Sequence, residues 1–171
     1  ELFNELNADE RTPMLNRAVS GIYSPGSIFK MVTSVAGLEL GIITPETVIE
    51  DTGVYRFYQY YQPSCWLYSA SRMTHGDETV VTALRDACNI FFFDVGRRIG
   101  IEQLAEYARA FGFGEYTGIE LSGESRGYVA SPESKRKLEG RPWVNGDTLA
   151  AAIGQSSNLF TPLQMANYIA T

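Results

Sequence analysis

Apolar side chains dominate the stretch that follows the Ser-Pro-Gly sequence at residues 24–26. They cover nearly every side of a helix that is predicted to begin at Ser27, and Gly41 marks its end. A helix that is apolar nearly all round is typical of a protein core rather than of a surface. The apolar positions are Ile28, Phe29, Met31, Val32, Val35, Ala36, Leu38 and Leu40.

The rest of the chain also favours helices. Hydrophobic residues at helical spacing predict a second helix over 79–98 and a third over 101–111. Ser131 starts a short charged helix, Asp147 is expected to cap another through Ala152, and a capping box at Thr161 begins the last one. The aromatic stretch 55–61 is either a short strand or an ordered loop, and 118–123 is expected to be extended. Strand signals are few, so the chain should be mainly helical.

Composition narrows the class of protein. The chain has 171 residues, which fits one domain or part of a larger one, and its net charge is -6 with scattered Lys and Arg. This argues against nucleic-acid binding. No apolar run of about 18 residues and no signal peptide are visible. Because the chain opens with Glu1, we expect it to be cut from something longer.

The sequence offers few residues that could bind a metal, and it predicts neither a metal nor a cofactor. Cys65 and Cys88 lie 23 residues apart and show no metal-ligand spacing, and His75 is the single histidine. A disulfide between the two cysteines stays open, since it depends on geometry and on the compartment. A Ser-His-Asp triad would have to use His75, which lies in a polar segment.

Ser27 and Lys30 carry the strongest chemical signal. Their spacing places both side chains on one face of the predicted helix. A serine hydroxyl becomes a good nucleophile when a base removes its proton, and a buried lysine becomes neutral enough to be that base. The helix N-terminus also favours the developing negative charge.

The spacing alone is a weak signal. Ser134 and Lys137 repeat it in a charged segment, which we interpret as a solvated helix face. Ser27 differs by its Pro-Gly turn, by the apolar helix behind it, and by a lysine with no acidic neighbour in sequence.

Five segments carry motifs that occur in a fixed order along the chain. They are residues 13–18, 25–30, 83–92, 118–121 and 152–166, and the second contains Pro-Gly-Ser-x-x-Lys. In this order they resemble class B high-molecular-weight penicillin-binding proteins, and in particular elongation-type peptidoglycan D,D-transpeptidases of clostridia-like bacteria. The likeness covers nearly the whole chain.

The resemblance implies roles for four residues. Ser27 would be acylated by a D-Ala-D-Ala stem peptide or by penicillin, and Lys30 would activate it. Asn89 would contact Lys30 and bind the substrate amide; the plainer interpretation is a polar side chain satisfied inside a helix bundle. Ala87 stands where the family's second motif, Ser-x-Asn, has a serine that relays a proton. Its loss should slow turnover by roughly 10²–10⁴-fold. The Ser-x-Asn at Ser156 is interpreted as coincidence.

The resemblance also implies an α+β fold, the β-lactamase/transpeptidase-like fold, of which this chain would be a mainly helical fragment. Most of the family's five-stranded sheet would be missing. No lysine precedes a Ser/Thr-Gly pair, so the third motif is absent. We therefore expect residues 1–171 to be a partial transpeptidase domain that ends before that motif, barely active on its own.

Partners and location follow from the same resemblance. They are the peptidoglycan stem peptide, β-lactam antibiotics and a cell-wall synthesis complex that sets cell shape. The full-length protein would be membrane-anchored at the extracytoplasmic face. Two alternatives stay open, a non-catalytic pseudoenzyme and a β-lactam sensor or hydrolase. A hydrolase would need a deacylating base, and no local pattern marks Glu120, Glu124 or Glu133 as one.

Overall fold

The structure, a computed structural model, describes residues 1–171 and is mainly helical. Nine α-helices and one 3₁₀ turn account for most of the regular structure. The helices are α1 (Leu2–Ala8), α2 (Lys30–Glu39), α3 (Trp66–Ser71), α4 (Val80–Arg85), α5 (Asn89–Ile99), α6 (Ile101–Ala110), α7 (Pro132–Glu139), α8 (Asn145–Ala152) and α9 (Pro162–Ala170). The 3₁₀ turn spans Gly26–Phe29.

The sheet is small, as the sequence predicts. Strands β1 (Ile49–Asp51) and β2 (Gly76–Glu78) pair antiparallel, with Asp51 opposite Gly76. Single bridges elsewhere join Tyr23 to Phe160 and Tyr128 to Leu159. The prediction of a mainly helical α+β chain with little sheet is confirmed.

Helix α5 forms the centre of the molecule. It packs between α2 and α8, and its three consecutive residues Phe91, Phe92 and Phe93 are all buried. Gly96 lets α5 approach α8 closely, because a side chain there would collide with Ala152. Burial of each such phenylalanine stabilises the fold by about 1.5–3 kcal/mol. The main core therefore lies directly behind the segments that hold Ser27 and Asn89.

A second aromatic cluster supports the start of α2. Phe29 lies 5.9 Å from Phe113 and 6.3 Å from Phe160, measured between ring centroids. Tyr168 in α9 closes the cluster, and its hydroxyl donates to the Ile28 carbonyl at 3.2 Å. The residues around Ser27 are therefore fixed from the core side.

The prediction of one continuous helix over 79–98 is wrong. The helix breaks at residues 86–88, and α4 and α5 are separate helices. Ala87 has φ +50°, a left-handed backbone conformation that no helix interior tolerates. Periodicity cannot reveal such a break, because the apolar positions on both sides continue at helical spacing.

The first helix also differs from its prediction. Its first turn is 3₁₀ rather than α, and Ile28 and Met31 lie at the surface, so burial is not complete all round. The aromatic stretch 55–61 is a loop rather than a strand, and 118–123 forms no strand either. The polar opening segment contains one helix, α1, which buries none of its residues.

The charged segment of α7 is less solvated than predicted. Ser134 and Lys135 are buried, and Lys135 Nζ donates to Asp147 Oδ1 at 2.6 Å. Asp147 lies in the first turn of α8 rather than at its cap, and its other oxygen accepts the Val144 N–H. No helix of the structure is long and apolar enough to cross a membrane.

Candidate active site

Ser27 lies in the 3₁₀ turn that leads into α2, with its hydroxyl free. Its side chain is exposed and Oγ makes no hydrogen bond within the chain. The turn is anchored from behind, since the Gly26 N–H donates to the Gly154 carbonyl at 2.9 Å and Ser24 Oγ donates to the same carbonyl at 2.6 Å. Helix-initial N–H groups lack intrahelical acceptors, so the turn can also stabilise an oxyanion near Ser27.

The anchor depends on a glycine. Gly154 has φ +74°, and a Cβ there would collide with the Gly26 carbonyl and with Phe29. The segment Gly154–Gln155 after α8 therefore packs directly against the turn that contains Ser27.

Lys30 begins α2 and is 1% exposed. Its amine donates to the Ala87 carbonyl at 2.6 Å and to Asn89 Oδ1 at 2.7 Å, and it lies 5.5 Å from the centroid of the Phe92 ring. No carboxylate pairs with this amine among the ion pairs of the structure. A buried amine without a counter-charge is costly to protonate.

Burial lowers the pKa of Lys30 to about 8, and the nearby thiols Cys65 and Cys88 only partly oppose this. A neutral lysine amine keeps two N–H donors and one lone pair. The two acceptors that contact Lys30 satisfy both donors, which leaves the lone pair free to take a proton. Such an amine suits a general base. Lys30 Nζ makes no hydrogen bond to Ser27 Oγ in the structure, so a proton transfer needs the two side chains to approach each other.

The turn between α4 and α5 supplies both acceptors. The left-handed conformation of Ala87 turns its carbonyl toward Lys30, and Asn89 as the first residue of α5 presents its side-chain oxygen. The structure thus brings Lys30, Ala87 and Asn89 together, and their roles in a reaction stay predictions. Ala87 carries no hydroxyl, so the turn provides a backbone carbonyl where a serine side chain is expected to act.

The competing serine motifs have structural roles. Ser134 caps α7 together with Ser131, and Lys137 is exposed. Asn158 of the second Ser-x-Asn is buried, donates to the Ala151 carbonyl and accepts the Ala130 N–H. These contacts account for both motifs without catalysis.

A second cluster escaped the sequence analysis. Asp51, Cys65, His75 and Cys88 each offer a ligand atom, and these atoms lie within 4.8 Å of one another. The ligands come from β1, from the N-cap of α3, from the residue before β2 and from the N-cap of α5. They are dispersed along the chain, so no spacing pattern could reveal them.

This ligand set fits a tetrahedral Zn²⁺ ion, which takes thiolate, imidazole and carboxylate ligands. Four protein ligands close the coordination sphere, so such an ion would act structurally and tie four segments together. Glu78 is also buried, and neither of its carboxylate oxygens has a hydrogen-bond partner. The spacing of the cysteines along the sequence gives no sign of a metal site, but the fold brings them together with Asp51 and His75 in a suitable ligand set.

The two thiols are free and influence each other. The neighbouring Cys88 lowers the pKa of Cys65, and the neighbouring Cys65, together with burial, raises the pKa of Cys88. His75 Nδ1 lies 2.6 Å from Asp51 Oδ2. Burial lowers the pKa of His75, but the hydrogen bond to Asp51 and the neighbouring negative charges together raise it. The disulfide that the sequence left open is not formed.

Comparison with known proteins identifies the family. Residues 3–171 match the model of the penicillin binding protein transpeptidase domain. The peptidoglycan D,D-transpeptidase MrdA of Escherichia coli K12 is 35% identical over 164 residues, which is 96% of this chain and 25% of that protein. The chain thus spans about a quarter of the length of that relative.

Solved structures show the same likeness. PBP2 of Pseudomonas aeruginosa, solved in complex with WCK 5153, has a TM-score of 0.87 and 32% identity, covering 99% of this chain and 38% of that one. PBP2 of Helicobacter pylori, solved in complex with MreC, has a TM-score of 0.87 and 35% identity, covering 99% and 31%.

The chain belongs to the penicillin-binding protein transpeptidase family. Within it the chain is of the class B, elongation type, which confirms the resemblance drawn from the motifs. Its likeness to clostridial proteins stays a prediction.

The three lysines of the chain allow a direct test of the site's electrostatics. In protein labelled with ¹³C at lysine Cε we expect Lys30 to titrate near pH 8. Lys135 is the control: burial lowers its pKa, but hydrogen bonds to Asp147 and Glu139 outweigh this and raise it above the usual value. NMR spectra recorded between pH 6 and 12 follow each signal, and Lys30→Met assigns the first. Co-titration of Lys30 with an ordinary lysine would contradict the buried-base geometry.

Proposed function

We propose that this chain provides the helical half of the active site of a peptidoglycan D,D-transpeptidase, an acyl-transfer enzyme that uses Ser27 as its nucleophile. The observation that carries the proposal is the buried amine of Lys30, held by the Ala87 carbonyl and by Asn89 Oδ1 and given no counter-charge. This arrangement suits a base, and it lies three residues from a free hydroxyl.

The proposed reaction proceeds through an acyl-enzyme. Ser27 Oγ attacks the carbonyl carbon between the two D-Ala residues of a stem peptide, and its proton passes to the neutral Lys30 amine. The tetrahedral intermediate collapses, the C–N bond breaks, and the leaving D-Ala amine takes up a proton. The amine of a second stem peptide then attacks the Ser27 ester, which forms the cross-link and frees the hydroxyl.

Asn89 has two parts in this proposal. Its side-chain oxygen holds Lys30, and its amide nitrogen remains available for a substrate carbonyl. Ala87 weakens the reverse proton transfer, because no hydroxyl stands between Lys30 and the leaving amine. Penicillin makes a smaller demand on that step, since opening its strained ring leaves the amine tethered. Acylation by β-lactams is therefore less affected than peptide turnover.

The setting of the enzyme is part of the same proposal. The relatives carry names of peptidoglycan synthesis, and one solved relative is a complex of PBP2 with MreC. We infer that the complete protein acts at the extracytoplasmic face of the membrane, anchored there and assembled with other cell-wall proteins. The third motif, with its second oxyanion N–H, would come from sequence beyond residues 1–171.

The two alternatives have less support. Of the candidate deacylating bases, Glu124 accepts hydrogen bonds from Thr117, while Glu120 and Glu133 are exposed, and none of the three hydrogen-bonds to Ser27. A pseudoenzyme would explain Ala87, but it would not explain why Lys30 is buried with both acceptors in place.

The first test is acylation by benzylpenicillin. We expect intact-mass spectra to show one penicilloyl adduct, peptide mapping to place it on Ser27, and Ser27→Ala to abolish it. Ser134→Ala is the matched control, because Ser134 has the same spacing to a lysine but caps α7. The measurement uses the complete product of the gene as well as residues 1–171. If the complete product carries no adduct, the proposal fails. If the complete product carries an adduct but residues 1–171 alone do not, residues outside 1–171 are essential for acylation.

A second test restores the missing hydroxyl. Ala87→Ser should raise D-Ala release from a stem-peptide substrate by about 10²-fold or more, as expected for one acid–base group, while the rate of penicillin acylation changes far less. Ala87→Gly is the control, since it keeps the left-handed turn without adding a hydroxyl. Equal rates for the serine and glycine variants would show that this chain does not need the relay.

A further inference from the structure

The turn that holds Lys30 is itself held from its far side by α3. Trp66, the first residue of α3, donates its indole N–H to the Asp86 carbonyl at 3.0 Å. Cys65, the N-cap of the same helix, accepts the Asn89 N–H at 3.4 Å through its sulfur. Two neighbouring residues of α3 thus bind the two ends of the segment 86–89.

The contact with Asp86 acts on the peptide that precedes the Ala87 carbonyl, which is the one that accepts from Lys30. The Asp86 carbonyl and the Ala87 N–H belong to one peptide plane, so fixing that carbonyl fixes the plane from which Ala87 turns. Ala87 is in the left-handed conformation, which an alanine adopts only when its surroundings impose it. Its own carbonyl then accepts from Lys30 at 2.6 Å. The carbonyls of residues 86 and 87 are therefore held by Trp66 and Lys30 respectively.

The exposure of Trp66 separates this contact from ordinary core packing. The side chain is 48% exposed, so a large part of the indole stabilises nothing by burial. Its ring lies 5.7 Å from the His75 ring between centroids, a contact that any aromatic side chain could make. The N–H donor is the one feature of tryptophan that the turn requires and that phenylalanine lacks.

We propose that Trp66 is a positioning residue for acyl transfer, which holds the Asp86 peptide so that the Ala87 carbonyl and Asn89 Oδ1 meet the amine of Lys30. The inference rests on the proposed function. Trp66 makes no hydrogen bond to Ser27 or Lys30, so its effect on the reaction passes through the turn. Without the indole N–H, that peptide keeps only the long bond from the Ala87 N–H to the Leu84 carbonyl at 3.3 Å, which loosens the two acceptors that keep Lys30 oriented.

The test is Trp66→Phe, which removes the N–H and keeps the aromatic ring against His75. Trp143→Phe is the matched control, because Trp143 is the only other tryptophan and donates its indole N–H to Thr148 Oγ1 at 3.1 Å, away from the turn. Stopped-flow kinetics with a chromogenic cephalosporin separates the dissociation constant of the non-covalent complex from the acylation rate constant.

We expect Trp66→Phe to lower the acylation rate constant about five- to tenfold, the effect of one lost hydrogen bond, with the dissociation constant and the melting temperature nearly unchanged. The amide NMR signals of Ala87 and Asn89 should shift in this variant and stay in place in Trp143→Phe.

Three results overturn the inference. They are an unchanged acylation rate constant, a loss of acylation that only follows a lower melting temperature, and equal losses in the two tryptophan variants. Failure of the wild-type protein to be acylated contradicts the proposed function instead. The NMR comparison still tests the hold of Trp66 on the turn in that case.

Discussion

Burial of one amine without a counter-charge is the constraint on which the site depends. Lys30 could have been paired with a carboxylate, which would stabilise its protonated form and end its use as a base. The fold instead offers two neutral oxygens, the Ala87 carbonyl and Asn89 Oδ1. Desolvation then lowers the pKa of Lys30 to about 8 while both N–H groups stay hydrogen-bonded. The site gains a base without an unsatisfied buried donor.

The surrounding fold serves this arrangement at several points. The buried phenylalanines of α5 fix the helix whose first residue is Asn89. Gly154 packs closely against Gly26 and Phe29 in the turn that contains Ser27. The left-handed Ala87 interrupts what would otherwise be one long helix, which opens the carbonyl toward Lys30. Backbone strain and a broken helix therefore lie where the chemistry needs them, as at many functional sites.

The sequence predicted much of this and missed the rest for physical reasons. Local motifs singled out Ser27, Lys30 and Asn89 as candidates, and apolar periodicity correctly predicted the helical content. The break at Ala87 was missed because apolar spacing continues across it. The cluster of Asp51, Cys65, His75 and Cys88 was missed because only the tertiary fold brings its four segments together. The burial of Lys135 was missed because its partner Asp147 lies on another helix.

The most direct test of the central claim is the pH dependence of acylation at Ser27. A base with a pKa of about 8 must be neutral to act, so the acylation rate constant should rise about tenfold per pH unit below pH 8 and level off above it. That profile should disappear with Lys30→Met, along with most of the rate. A rate constant that is flat between pH 6 and 9, or that rises until pH 10, would show that the buried amine of Lys30 is not the base.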